Sequence, residues 1–211
     1  MAFVKRKSTE TTPQDSREER RSHERDMATL IELLQDENAD ERRHAARDLA
    51  QFPDSTQALA DSLCNEKSLV VRQAIFDSLL SIGGKDVVDL LIPHLKSEDA
   101  NLRNGVIEVL QGFPQEVAPR IASLLNDPDS DVRIFAVDVL QLLAHPKAPD
   151  WLLEVIRDEE HVNVIGAAVD RLAEMGQPHM IPDLERLKER FSDVPYICFS
   201  VDVCLKRLSE G

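Results

Sequence analysis

The sequence repeats itself about every thirty residues. Four arginines stand at spacings of 30, 31 and 30 residues, and a leucine follows each of them seven positions later: Arg42, Arg72, Arg103 and Arg133. Two further copies keep the surrounding pattern but have isoleucine at the arginine position: Ile165 and Ile197. A repeat of this length predicts an array of small stacked units rather than a globule built around one centre.

Each unit has the pattern of two helices joined by a short turn. In the fourth copy the pattern predicts a first helix over 117–125, a turn over 126–131 and a second helix over 132–143. The apolar residues of the second helix share one face at 100° per residue: Ala136, Val137, Leu140 and Leu143. No stretch alternates with the period of a strand. We therefore expect an all-α, right-handed α-solenoid of about six helical hairpins.

The formal charge of −14 is concentrated in the repeats. Residues 1–26, predicted to be a charged tail that is disordered or partly helical, hold seven Lys/Arg and six Asp/Glu. The repeat domain, residues 27–211, therefore carries a net charge of −15. A field of this sign repels the phosphate backbone, so nucleic-acid binding is disfavoured. Without a secretory signal or an apolar run of about 18 residues, we expect a cytoplasmic protein with no membrane span.

A turn acid, an arginine six residues later and an alanine-rich second helix recur together. The acid–arginine pairs are Asp36 with Arg42, Glu66 with Arg72, and Asp127 with Arg133. This combination resembles HEAT-like repeats, most closely the short bacterial type named after phycobilisome lyase subunits, over about residues 27–208. The resemblance implies a structural ladder of hydrogen bonds and ion pairs between successive repeats, including Arg103. Because Ser97 replaces the acid in the third unit and the last two units lack the arginine, the ladder is expected to weaken towards the C-terminus.

A row of acids occupies the position five residues after the arginine. This position points away from the core stripe, towards the concave face expected of such a stack. The row is Asp77, Glu108, Asp138, Asp170 and Asp202, and nearby positions add Gln73, Asn104, Gln111, Ile134 and Gln141. Two interpretations stay open. The acids keep a solvated face hydrated, or they form an acidic groove for a basic or amphipathic segment of a partner protein.

The sequence contains no pattern typical of a catalytic, cofactor or metal site. Resemblance to HEAT-like enzymes implies two alternatives to a scaffold, a bilin lyase-like enzyme or accessory subunit and a deoxyhypusine hydroxylase-like di-iron enzyme. The di-iron enzyme has His-Glu pairs on its repeat helices, whereas the one pair here, His23-Glu24, precedes the repeats. We expect the single tryptophan, Trp151, to pack between helices. The three cysteines are expected to be reduced and mostly buried: Cys64, Cys198 and Cys204.

The favoured function is therefore a non-enzymatic scaffold or adaptor. We expect it to be a monomer, to bind another protein through its concave face, and to need no cofactor or metal ion.

Overall fold

The computed structural model describes residues 26–210, which contain twelve α-helices, three short 3₁₀-helices and no strand. The α-helices are α1 Met27–Leu33, α2 Ala39–Leu49, α3 Thr56–Leu63, α4 Leu69–Ile82, α5 Lys85–Leu91, α6 Ala100–Gln111, α7 Pro114–Leu125, α8 Ser130–Leu142, α9 Ala148–Asp158, α10 Val162–Met175, α11 Ile181–Arg190 and α12 Pro195–Glu210. Residues 1–25 of the tail expected over residues 1–26, with the His23-Glu24 pair, lie outside the described residues, whereas Asp26 caps α1.

The helices pair in chain order into six hairpins, which confirms the predicted all-α solenoid. Odd-numbered helices are the first helices of the hairpins and even-numbered helices are the second. Each second helix packs against the second helix of the next repeat, from α2 to α12. The predicted core stripe of α8 is buried within one continuous apolar cluster. The first helices form the other layer, so functional side chains can lie on either layer or at the turns.

Five of the second helices begin three residues before their anchor, and in three of these the turn carries a capping side chain. Asn38, Asp99 and Asp129 each stand four residues before an anchor arginine and accept a hydrogen bond from a backbone N–H in the first turn of the helix. Such caps satisfy amide groups that have no partner inside the helix. In these three repeats the sequence pattern therefore fixes both the start of the second helix and the rotation of its apolar face.

Two of the differences between the predicted and the observed helices involve prolines. Pro114 is the first residue of α7, so this helix begins three residues earlier than predicted, and Pro119 lies inside it. Proline suits the first position of a helix, where its missing N–H has no partner to lose. Pro93, expected to bend a helix, instead lies in the 3₁₀-helix Ile92–Lys96 that continues α5.

Candidate functional site

The residue six positions before each anchor holds the turn. Its side chain accepts the N–H of the residue two positions later in all five turns that precede α2, α4, α6, α8 and α10: Asp36, Glu66, Ser97, Asp127 and Glu159. This short-range hydrogen bond is typical of Asp and Ser in turns, and the two glutamates make it with a longer side chain.

The glutamates at this position also reach the preceding repeat. Arg42 donates from Nε and Nη2 to the two carboxylate oxygens of Glu66 at 2.7 and 3.0 Å. Its Nη1 donates to the backbone C=O of Asp36 at 2.8 Å. Hydrogen bonds from Arg42, outweighing burial, hold the pKa of Glu66 below its usual value. Arg133 makes the same paired contact to Glu159, at 2.7 and 3.1 Å.

The other two anchor arginines have different partners. Arg72 is buried and its Nη1 lies 2.7 Å from Oδ2 of Asp99, the capping residue of the next repeat. Arg103 donates to the C=O of Ser97, and its guanidinium lies 4.9 Å from the ring centroid of Phe135. Among residues 26–210 no carboxylate lies within ion-pair distance of Arg103. Asp36 and Asp127 therefore contact the arginine of their own repeat only through their backbone C=O groups. The carboxylates that pair with Arg42, Arg72 and Arg133 belong to the following repeat.

Arginines of the first helices join the last repeats, where the anchor is isoleucine. Arg157 of α9 donates from Nε and Nη2 to Asp183 of α11 at 2.9 and 2.8 Å. Arg190 donates from Nη2 to the C=O of Ile156 and of Glu159, at the end of α9. Hydrogen bonding to Arg157 lowers the pKa of Asp183 to about 2, with a smaller contribution from Arg186.

The structure divides the acidic row into paired and unpaired members. Asp202 lies 2.5 Å from Nζ of Lys188, and Asp138 lies 3.8 Å from Nη2 of Arg171. Burial raises the pKa of Asp138, against the opposing effect of Arg171. Within the described part of the chain, no cation lies within ion-pair distance of the three other acids: Asp77, Glu108 and Asp170. These three are exposed, so the negative potential of this face comes mainly from them.

The neighbouring predicted residues serve different purposes. Gln73 donates to Asp77 at 3.0 Å, within one helix. Gln111 donates to the backbone C=O of Asp138 at 2.8 Å and so joins α6 to α8. Gln141 lies 3.5 Å from Glu174, Asn104 is exposed, and Ile134 is half-buried against the core. Gln111 is therefore occupied by a hydrogen bond between helices and Ile134 by packing on the core, whereas Asn104 remains accessible.

An apolar patch on α12 was missed by the sequence reasoning. Tyr196, Phe199 and Val203, which we call the α12 patch, are 52%, 70% and 37% exposed. Phe199 stands about 60° around the helix from Asp202, so the patch borders the acidic row. The only sequence signal was three apolar residues at i, i+3 and i+7 in a helix whose core stripe was already complete. Exposed apolar residues that cluster in this way mark interaction surfaces.

The cysteines differ from one another in exposure. Cys64 is exposed, so the expectation of mostly buried thiols is wrong for it, and its Sγ lies 3.8 Å from Nδ1 of His94. Burial lowers the pKa of His94. Cys204 is buried, and burial raises the pKa of its thiol to about 11. Among residues 26–210 no three His, Cys, Asp or Glu side chains are grouped so that they could hold a metal ion.

None of the helices between residues 26 and 210 has the length and apolarity needed to span a membrane.

The family model for HEAT repeats matches residues 27–111 and 117–194. The chain is 31% identical over 140 residues to the bilin biosynthesis protein PecE of Mastigocladus laminosus, which covers 64% of this chain and 51% of that protein. The chain thus spans about half the length of this curated relative.

Two solved structures are also similar to the chain. One is a designed armadillo repeat protein in complex with the peptide (KR)4, with 15% identity, a TM-score of 0.42 and coverage of 87% of this chain and 100% of that one. The other is the complex of CpcE and CpcF of phycocyanin lyase from Nostoc sp. PCC7120, with 16% identity, a TM-score of 0.36 and coverage of 98% and 100%.

Proposed function

Because the chain belongs to the HEAT-repeat family, we propose that it is a binding scaffold whose second-helix face holds a basic, amphipathic segment of another protein. The observation that carries the proposal is the juxtaposition on this face of unpaired carboxylates and exposed apolar side chains. Asp170 of α10 has no cation within ion-pair distance in the described chain, and the neighbouring helix α12 carries Phe199, which is 70% exposed.

The two kinds of side chain favour one class of occupant. Burying an aromatic ring such as Phe199 contributes about 1.5–3 kcal/mol. The unpaired carboxylates attract cations over a Debye length of about 8 Å at physiological ionic strength. A helix or strand with an apolar side next to Lys or Arg would satisfy both requirements, and like-charged segments would be rejected.

The proposal is tested with a fluorescently labelled peptide that carries Lys and Leu on opposite faces of a helix. We expect the double variant Glu108→Lys with Asp170→Lys to weaken binding strongly in an anisotropy titration, because these acids have no internal partner whose loss would disturb the fold. Phe199→Ser should weaken binding independently. The matched control is Glu185→Lys with Glu189→Lys, the same charge change at two exposed positions of α11. Wild-type affinity in the Glu108/Asp170 variant would refute the proposal.

A second candidate is an accessory role in bilin attachment. It is favoured by the 31% identity to the bilin biosynthesis protein. The experiment is to incubate the purified protein with a bilin and an apo-phycobiliprotein and to record the absorption spectrum. A protein-dependent, covalently retained bilin band would favour this candidate over a scaffold role, and a spectrum identical to that without the protein would remove it.

A further inference from the structure

The contacts between successive first helices differ at the boundary between α7 and α9. One position of this layer holds Asp89 in α5, Arg120 in α7, Trp151 in α9 and Asp183 in α11, at spacings of 31, 31 and 32 residues. Arg120 pairs with Asp89 through hydrogen bonds of 2.8 and 3.1 Å, and Asp183 pairs with Arg157. In the part of the chain that the structure describes, no ion pair joins α7 to α9.

A cleft of about 480 Å³ opens at this boundary. Ala122 and Leu125 line its α7 side, and Trp151, Glu154, Val155 and Asp158 line its α9 side. Its volume lies within the range of about 300–1,000 Å³ typical of ligand sites. The cleft lies on the first-helix layer and at the turns, so it is separate from the acidic row on the second helices.

The charges that line the cleft leave a negative excess. Arg133 and Glu159 also line it but neutralise each other, and Asp127 lies 3.1 Å from Nζ of Lys96. Glu154 and Asp158 are exposed, with no cation within ion-pair distance among the described residues. An anionic ligand would therefore be repelled, and a cation would gain two carboxylate partners.

Trp151 provides a preorganised apolar wall. Its indole ring stacks on the ring of His145, with centroids 4.7 Å apart and an angle of 17° between the planes. The indole N–H has no acceptor among residues 26–210 and is not buried. A bound peptide could therefore supply a backbone C=O to this donor, as tryptophan in binding sites commonly requires.

We propose that this cleft binds a Lys or Arg side chain presented by an extended basic peptide segment. The apolar stem packs on Leu125, Val155 and Trp151, and the charged end lies against Glu154 and Asp158. Such a side chain would play the part that Arg120 and Arg157 play at the neighbouring boundaries, where each pairs with an acid of an adjacent first helix, Asp89 of α5 and Asp183 of α11. This site does not depend on the function proposed for the second-helix face.

Trp151 is the only tryptophan in the chain, so its fluorescence reports on the cleft directly. The probes are two short blocked peptides, one of alternating Lys and Ala and one of alternating Glu and Ala, each added to the full chain at constant ionic strength. We expect a saturable change in tryptophan emission with the lysine peptide and none with the glutamate peptide. The double variant Glu154→Gln with Asp158→Asn should raise the apparent Kd by about tenfold or more.

The matched control is the isosteric pair Glu108→Gln with Asp170→Asn on the second-helix face. It should leave the fluorescence titration unchanged, whatever its effect on the amphipathic peptide. Circular dichroism establishes that both variants fold. The proposal is overturned if the lysine peptide causes no saturable change, or if the Glu154/Asp158 variant titrates like the wild type. A response that is lost only in the Glu108/Asp170 variant also overturns the cleft site, while supporting the second-helix face.

Discussion

Replacing Gly105 with alanine is expected to destabilise the stack, although alanine is the better helix former. Gly105 lies in α6 at its contact with α4 of the preceding repeat. A β-carbon at position 105 would lie 2.2 Å from Cε2 and 2.5 Å from Cζ of Phe76. Phe76 is only 5% exposed, so its ring has little room to move towards solvent.

Two opposing terms decide the sign of the effect. Glycine-to-alanine substitution inside a helix stabilises by about 1 kcal/mol. The ring of Phe76 would have to retreat from 2.2 Å to at least the 3.4 Å of an ordinary contact. Overpacking of a close-packed core costs about 1–3 kcal/mol, and a displacement of this size belongs near the upper end. The net expectation is a loss of about 1–2 kcal/mol of unfolding free energy.

The assay is urea denaturation followed by far-UV circular dichroism, applied as a double-mutant cycle. Phe76→Leu removes the ring atoms, so Gly105→Ala should be neutral or stabilising in that background and the coupling energy should be large. Asn104→Ala is the matched control, because Asn104 is the exposed neighbour in the same helix. Wild-type or greater stability of Gly105→Ala with Phe76 intact would refute the reasoning.

Glu66→Gln should lower the unfolding free energy by about 2–3 kcal/mol, measured by urea denaturation, because it breaks a largely buried pair while Arg42 keeps its backbone acceptors; a loss below about 0.5 kcal/mol would contradict a ladder role. The pKa of Asp183 is lowered from 3.8 to about 2, so this carboxylate contributes stability above pH 3.8 that is lost as the pH falls towards 2. Because its arginine partners are exposed, Asp183→Asn should lower the unfolding free energy by only about 1 kcal/mol at pH 7. The melting temperature of the variant should also change less than that of the wild type between pH 3.8 and pH 2. Iodoacetamide mass mapping at pH 8 should find Cys64 alkylated first and Cys204 last, since Cys204 is buried with a thiol pKa of about 11; equal rates would contradict the structure.

The repeat in the sequence predicted the helices and their buried faces, because a period of thirty residues and a stripe at 100° per residue leave few alternatives. It did not predict which repeat supplies each arginine's partner. Equivalent positions recur once per unit, so Glu66 is as close in pattern to Arg72 as to Arg42. The length of the side chain determines the partner, because a glutamate can accept the hydrogen bond of its own turn and still reach the arginine of the preceding repeat.

The ion pairs and exposed patches of the surface could not be predicted, because they depend on how the helices pack and not on the period of the sequence. Asp138 and Glu108 are equivalent in the repeat, but Arg171 comes within 3.8 Å of Asp138 only when α10 packs on α8. The residues of the α12 patch lie outside the core stripe, and the repeat pattern says nothing about what an apolar residue contacts there. Trp151 was expected to pack between helices; it does contact the core, yet it also lines the cleft.

The missing ion pair between α7 and α9 also has a mechanical meaning. Second helices α8 and α10 pack closely at this boundary, whereas the first helices beside them have no charged contact to stretch or break. We therefore expect the outer layer to widen or narrow more easily at this joint than at the α5–α7 and α9–α11 joints, which the Arg120–Asp89 and Arg157–Asp183 pairs hold together. We expect a load applied to the ends of the array to change the radius of the superhelix at the α7–α9 joint more than at those two joints.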